Sequence, residues 1–284
     1  MSEKITIKNE CLTVTADRLG AEMVSIKKSG REMLWCGDAS VWEGHAPVLF
    51  PICGGLKDGK FLYNGREYFL EKHGYARHST FDVEKTADNE VVFLLKSDEA
   101  SKNVYPFDYE FRVSYILDGN RIKVTFSVAN TGVGEMYYSV GAHEAYACPG
   151  GIENYRIIFD EPEELASNLV EDGILGRKTV CIGKNTQKLP LKNEYFKIDA
   201  LIFCGLKSRR VRLEKNSGET VAEVDFNGAD YLLLWTIPGA EYLCIEPWCG
   251  LPDFTDGDYD IRNKPGIITV KPGETKTRTH IITF

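Results

Sequence analysis

Apolar residues in this chain recur at every second position, and few architectures tolerate that pattern. Residues 12–16 (LTVTA), 111–117 (FRVSYIL) and 122–128 (IKVTFSV) alternate cleanly. A period of two sends successive side chains to opposite faces of an extended strand. The last two runs flank Asp118, Gly119 and Asn120, which reads as a hairpin. Residues 61–63 and 66–70 flank Asn64-Gly65, the pair best suited to a type I′ turn. Further hairpins are expected around residues 86–89 and 216–218. Strand-like runs continue at 155–159, 201–203, 221–226, 231–236, 267–270 and 280–284, and no dozen-residue stretch carries a helical period.

Turn signals at intervals of about 8–12 residues imply roughly two dozen short strands. Aromatic residues make up 11% of the chain, a load that suits strands. No linker, low-complexity tract or internal repeat divides the 284 residues. The expectation is therefore all-β: one domain over residues 1–284, a large antiparallel β-sandwich of two sheets packed face to face. Such a sheet can present a concave face to a sugar-sized ligand. A closed barrel also fits the pattern, whereas a propeller should show a blade-length repeat.

Net charge of −8 argues against nucleic acid or an anionic membrane surface as partner. Residues 1–10 hold no apolar core of a signal peptide, and no apolar run approaches membrane-span length, so a cytoplasmic protein is expected. Eight cysteines occur without a C-x-x-C pair; buried reduced thiols are expected rather than disulfides or zinc ligands.

Three polar islands interrupt the strands: residues 71–77 (EKHGYAR), 141–146 (GAHEAY) and 244–248 (CIEPW). Glu246 ends an apolar strand and precedes Pro247, which cannot donate to a sheet ladder. Bracketed by Ile245, Pro247 and Trp248, its carboxyl should be desolvated, with a raised pKa that favours base chemistry. Continued strand geometry puts Trp248 on the same face, where an indole can stack on a sugar ring. His143 has the imidazole chemistry for proton donation at neutral pH, and its neighbour Glu144 should point to the opposite face. Read as extended, His73, Tyr75 and Arg77 share a face, with His73 and Arg77 about 13 Å apart. Each island alone fits a structural role as well. Trp42 and Trp235 read as core, and His45, His78 and His280 as structural. His73, His143 and Glu246 could in type form a two-His, one-carboxylate metal site, but no H-x-H or H-x-x-x-H pair supports one, so no metal is expected. No phosphate-binding glycine loop or G-x-S-x-G elbow is present.

With these residues in view, the chain resembles the aldose 1-epimerase (galactose mutarotase-like) superfamily, in its LacX-like branch. The resemblance spans nearly the whole length and rests on residues 46–54 (APVLFPICG), 70–77 (LEKHGYAR), 141–143 (GAH), 196–202 (FKIDALI) and 245–250 (IEPWCG). It implies a β-supersandwich and interconversion of the α and β anomers of an aldose, with no cofactor and a small sugar, free or phosphorylated, as substrate. By the same resemblance Glu246 takes the anomeric hydroxyl proton and His143 protonates the ring oxygen. His73 then helps hold and polarise the sugar, Asp199 hydrogen-bonds its hydroxyls, and Arg77 contacts sugar or phosphate oxygens.

Two departures stand out: many relatives carry arginine where Gly55 stands and proline where Glu144 stands. A catalytically silent sugar-binding protein, or a glycoside hydrolase pairing Glu246 with Asp199 roughly 5–10 Å apart, are the alternatives. For an epimerase, ordinary side-chain values of about 4.3 and 6.5 would give an acid limb from Glu246 and a basic limb from His143.

Overall fold

The computed structural model describes residues 3–284. Among them are 23 strands, five 3-10 turns and one α-helix, Glu99–Lys102, of four residues. All four expected hairpins form. Tyr109–Asp118 pairs with Arg121–Asn130 through ten residue pairs. Asn64 and Gly65 take φ of 51° and 78° between Lys60–Tyr63 and Arg66–Phe69, as a type I′ turn requires.

The two expected sheets are joined. A ladder of 15 antiparallel strands runs unbroken because the C-terminal strand, Thr275–Thr283, pairs on one side with Arg121–Asn130 and on the other with Thr220–Asp225. A four-stranded sheet at residues 4–32 lies apart from this ladder. Open sheets this wide curl or fold over. Residues far apart in the ladder, such as Phe93, Phe111, Val224 and Leu243, share one core cluster with Val14 and Ile26 of the small sheet.

One hairpin is far longer than the sequence indicates. Tyr155–Glu171 and Ile174–Pro190 are each 17 residues, and their pairing is interrupted by irregularities after Ile158, Glu163, Leu165 and Asn168. Such interruptions blur the two-residue period, which is why only residues 155–159 read as strand. The hairpin tip reaches Gly55, whose N–H donates to the Gly173 carbonyl at 3.2 Å. A Cβ at Gly55 would stand 2.8 Å from that oxygen, so a side chain there is incompatible with the tip's position. The departure at Gly55 thus has a structural reason.

Of the eight cysteines, all free, Cys53, Cys148, Cys244 and Cys249 are buried, but Cys36, Cys181 and Cys204 are exposed. No helix among the described residues is long and apolar enough to cross a membrane.

Candidate active site

The floor of a cavity of about 680 Å³ is a row of side chains crossing three strands and a break in the next. Ile202 of Leu201–Cys204 stands opposite Leu233 of Tyr231–Trp235, and Leu233 opposite Glu246 of Tyr242–Cys249. Beyond Glu246 the neighbouring chain breaks between Val140–Ala142 and Glu144–Ala147. Gly141 faces Trp248 and Glu144 faces Ile245, so the residues left across from Pro247 and Glu246 are Ala142 and His143. Pro247 has no N–H to offer, and the ladder lapses where it sits. The lapse leaves His143 as the cross-strand partner of Glu246.

The His143 Nε2 atom lies 3.4 Å from Glu246 Oε2, close enough for proton exchange after a small reorientation. Neither His143 Nδ1 nor Glu246 Oε2 has a hydrogen-bond partner, and both are buried. Leu233 and Ile202 leave Glu246 only 1% exposed, and this desolvation pushes its carboxyl well above the usual carboxylate range. Burial also drives the His143 imidazole down to about 3, with Lys72 and Arg77 adding to the shift. His143 is therefore neutral at pH 7, and the proton of the pair rests on the carboxyl rather than on the imidazole. The ordinary imidazole value expected from sequence does not survive burial.

His73 sits above this pair, but not on a strand. Its φ is 70° and that of Gly74 is 69°, and a 3-10 turn follows at Ala76–His78. The extended reading of residues 73–77, with its separation of about 13 Å, is thus replaced by a tight left-handed turn. The turn is held by the His73 N–H donating to the Gly54 carbonyl at 2.9 Å. The Gly54 N–H donates to His73 Nδ1 at 3.1 Å, which leaves the ring proton on Nε2. Burial holds His73 well below its ordinary value, so it is a neutral donor. Its ring packs edge-on against His143 at 5.7 Å and Trp248 at 5.4 Å.

Arg77 lines the same cavity, and its buried Nε lacks a partner. Asp199, at φ 82°, also lines it and stands 3.6 Å from Lys72 Nζ. Trp248 shares the cavity face with Glu246 as expected, but it is only 3% exposed and its Nε1 donates to the Ala142 carbonyl at 3.0 Å. Its indole is wall more than open platform. Glu144 points away as expected: His280 Nε2 lies 2.8 Å from its Oε1 in the core.

Four residues read as packing or structural are cavity residues. Trp42 and Trp235 are half-buried and flank His143, with ring centroids at 5.3 and 5.5 Å. They, rather than Trp248, offer open aromatic faces. His45 and His78 also line the cavity. One contributor had no sequence signal: Glu22 accepts from the N–H groups of His45 and Ala46 at 2.6 and 2.8 Å, and so ties down the loop bearing Trp42. The whole cavity is about 680 Å³, bounded at one end by Gly173 and Asp199 and at the other by Asp17 and Leu19. That size suits a small molecule, for which sites of roughly 300–1,000 Å³ are usual.

The chain is similar to known proteins along its whole length. Residues 3–283 match the family described as Aldose 1-epimerase. Protein LacX from a plasmid of Lactococcus lactis is 34% identical, with 99% of each chain covered. The X-ray structure of a galactose mutarotase related enzyme from Lactobacillus acidophilus is 32% identical, covers 99% of this chain and 97% of its own, and superposes with a TM-score of 0.94. A galactose mutarotase-like protein from Lactobacillus casei shares the fold at 24% identity and a TM-score of 0.92, with 99% of both chains covered. The chain belongs to the aldose 1-epimerase family.

Proposed function

We propose that the protein interconverts the α and β anomers of an aldohexose, with Glu246 and His143 as its acid/base pair. The observation that carries this reading is the buried carboxyl–imidazole pair, 3.4 Å apart on the floor of an open cavity. Anomer exchange needs one proton taken from the anomeric hydroxyl and one given to the ring oxygen, then the reverse after rotation about C1–C2. A pair with one proton and two sites supplies both transfers without net change.

In the empty protein the proton rests on Glu246, as its raised pKa and the lowered pKa of His143 require. Sugar hydroxyls donating to the carboxylate, with the ring oxygen set against the imidazole, favour the form in which His143 carries it. Glu246 then removes the anomeric proton while His143 protonates the ring oxygen. His73 Nε2–H and Arg77 Nε–H donate to sugar oxygens, Asp199 accepts from a hydroxyl, and Trp42 and Trp235 cover an apolar face of the ring. Lys72 and Arg77 give the cavity the cations that a phosphorylated hexose would meet. A glycosidase would pair Glu246 with a second carboxyl; Asp199 lines the same cavity and adds to the upward shift of Glu246, but it stands 3.6 Å from Lys72, whereas Glu246 has His143 at 3.4 Å.

The direct test is polarimetry on freshly dissolved α-D-glucose, α-D-galactose and their 6-phosphates, beside an aryl glycoside. Accelerated mutarotation of at least one sugar without glycoside cleavage is expected. Tight binding of these sugars with no acceleration would make the protein a silent carbohydrate binder.

The pH profile of kcat/KM should carry the signature of the pair. Activity falls on the acid side when the pair takes a second proton, onto an imidazole held near 3 by burial. It falls on the basic side when the pair loses its only proton, from a carboxyl raised well above 4.5. The acid limb therefore belongs to His143 and the basic limb to Glu246, the reverse of the assignment from ordinary values. These apparent values belong to the pair and not to either residue alone. An acid limb centred near 6.5 would contradict the pairing.

A further inference from the structure

Beneath the cavity floor, in the apolar cluster behind His143 and Glu246, lies a third donor that proton transfer does not use. Cys244 lies two residues before Glu246 on the same strand face, opposite Ala145 on one side and Trp235 on the other. One donor atom from each of His143, Cys244 and Glu246 lies within 4.8 Å of the other two, and all three side chains are buried. Among the polar atoms of this group, His143 Nδ1 and Glu246 Oε2 have no hydrogen-bond partner. Buried polar atoms are rarely left so, and both belong to residues whose donor atoms cluster with the Cys244 thiol.

Nitrogen, sulfur and oxygen together form a donor set that selects borderline or soft cations over Mg²⁺ and Ca²⁺, which prefer oxygen. Metal–ligand bonds of about 2.0–2.3 Å set donor separations of roughly 3.3–3.8 Å in a tetrahedral site. The observed separations need to close by about 1 Å, within reach of side-chain rotation about the Glu246 and His143 torsions. The aromatic wall of Trp42, Trp235 and Tyr242 keeps the surroundings dry, and the cavity side stays open for a further ligand.

We propose that His143, Cys244 and Glu246 form a site for a thiophilic divalent cation of the Zn²⁺ class, bound just beneath the cavity floor with its remaining position toward the cavity that His143 and Glu246 line. Binding displaces the thiol proton of Cys244 and the proton shared by His143 and Glu246, both to solvent, so affinity rises with pH. The cation engages the lone pairs that sugar chemistry would use, which makes the site inhibitory. That consequence rests on the epimerase reading, whereas the metal site itself does not.

The test uses full-length protein stripped with a chelator and carrying Cys36→Ser, Cys181→Ser and Cys204→Ser, which removes the exposed thiols. Zn²⁺ is titrated in competition with a chromophoric chelator, and Cd²⁺ is followed by its thiolate charge-transfer absorption. One equivalent should bind. Adding Cys244→Ala should weaken binding by more than the about 10–100-fold that loss of an outer-sphere partner costs. The size-matched Cys244→Ser should also lose the charge-transfer band, which separates ligation from packing. Zn²⁺ should suppress mutarotation over the concentration range in which it binds. Equal Zn²⁺ affinity with and without Cys244 overturns the site, even in an active epimerase. Cys244-dependent binding in a protein without mutarotase activity upholds the site and removes the epimerase reading instead.

Discussion

Glu246→Gln is expected to lower kcat for mutarotation by about 10²–10⁴-fold, the usual contribution of a positioned general acid or base. The amide keeps the volume and one acceptor oxygen, so KM for the sugar should move far less than kcat. The variant should also gain stability at neutral pH. Burial raises the folded-state pKa of Glu246 above its ordinary value of 4.5. Its ionisation thus opposes folding, and stability is lost as pH rises from 4.5 through the folded value. His143 has the opposite sign: its value of about 3 lies below 6.5, so its contribution is present above pH 6.5 and lost as pH falls toward 3. Removing the carboxyl should flatten the decline in Tm above pH 4.5 and leave the low-pH loss in place. Wild-type turnover in Glu246→Gln would remove Glu246 from the reaction. An unchanged Tm profile would mean that its carboxyl is not held neutral by burial.

Gly74→Ala is expected to be the most damaging small substitution near the site. Gly74 has φ of 69°, and a Cβ would stand 2.4 Å from the Phe50 carbonyl oxygen and 2.7 Å from its carbon. The left-handed conformation costs a residue with a Cβ about 1–2 kcal/mol. Overpacking against backbone, which cannot rotate away, adds about 1–3 kcal/mol more. Set against a total stability of roughly 5–15 kcal/mol for a typical protein, that is a large fraction. The denaturant midpoint should fall accordingly. Because the turn carries His73 against Gly54, sugar affinity should fall with it, even under conditions where the variant remains folded. A midpoint within error of wild type would show that the turn tolerates a side chain and that His73 does not depend on it.

The alternation of residues 111–117 and 122–128, and the Asn64-Gly65 turn, made the all-β class and the hairpins legible, because strand facing and tight turns are decided within a few residues. Glu246 was legible for the same kind of reason: a carboxylate between Ile245 and Pro247 is locally anomalous. Residues 73–77 were misread because an H-G-x-x-R segment can be extended or turned, and only the contact of Gly74 with the Phe50 backbone selects the left-handed form. Trp42 and Trp235 were taken for core since large aromatics usually are. Their half-exposure comes from a cavity that no local pattern announces. Glu22 was invisible, being one acid among many until its two backbone N–H partners were seen.

The sequence by itself determined strand character, turn positions and which side chains were chemically able to move a proton, since all of these depend on near neighbours. Only the tertiary structure decided that His143 stands across from Glu246, that the long hairpin closes on Gly55, and that burial pushes the carboxyl up and the imidazole down. The physical reason is that ladder register and desolvation arise between different segments of the chain, where chain order carries no distance information.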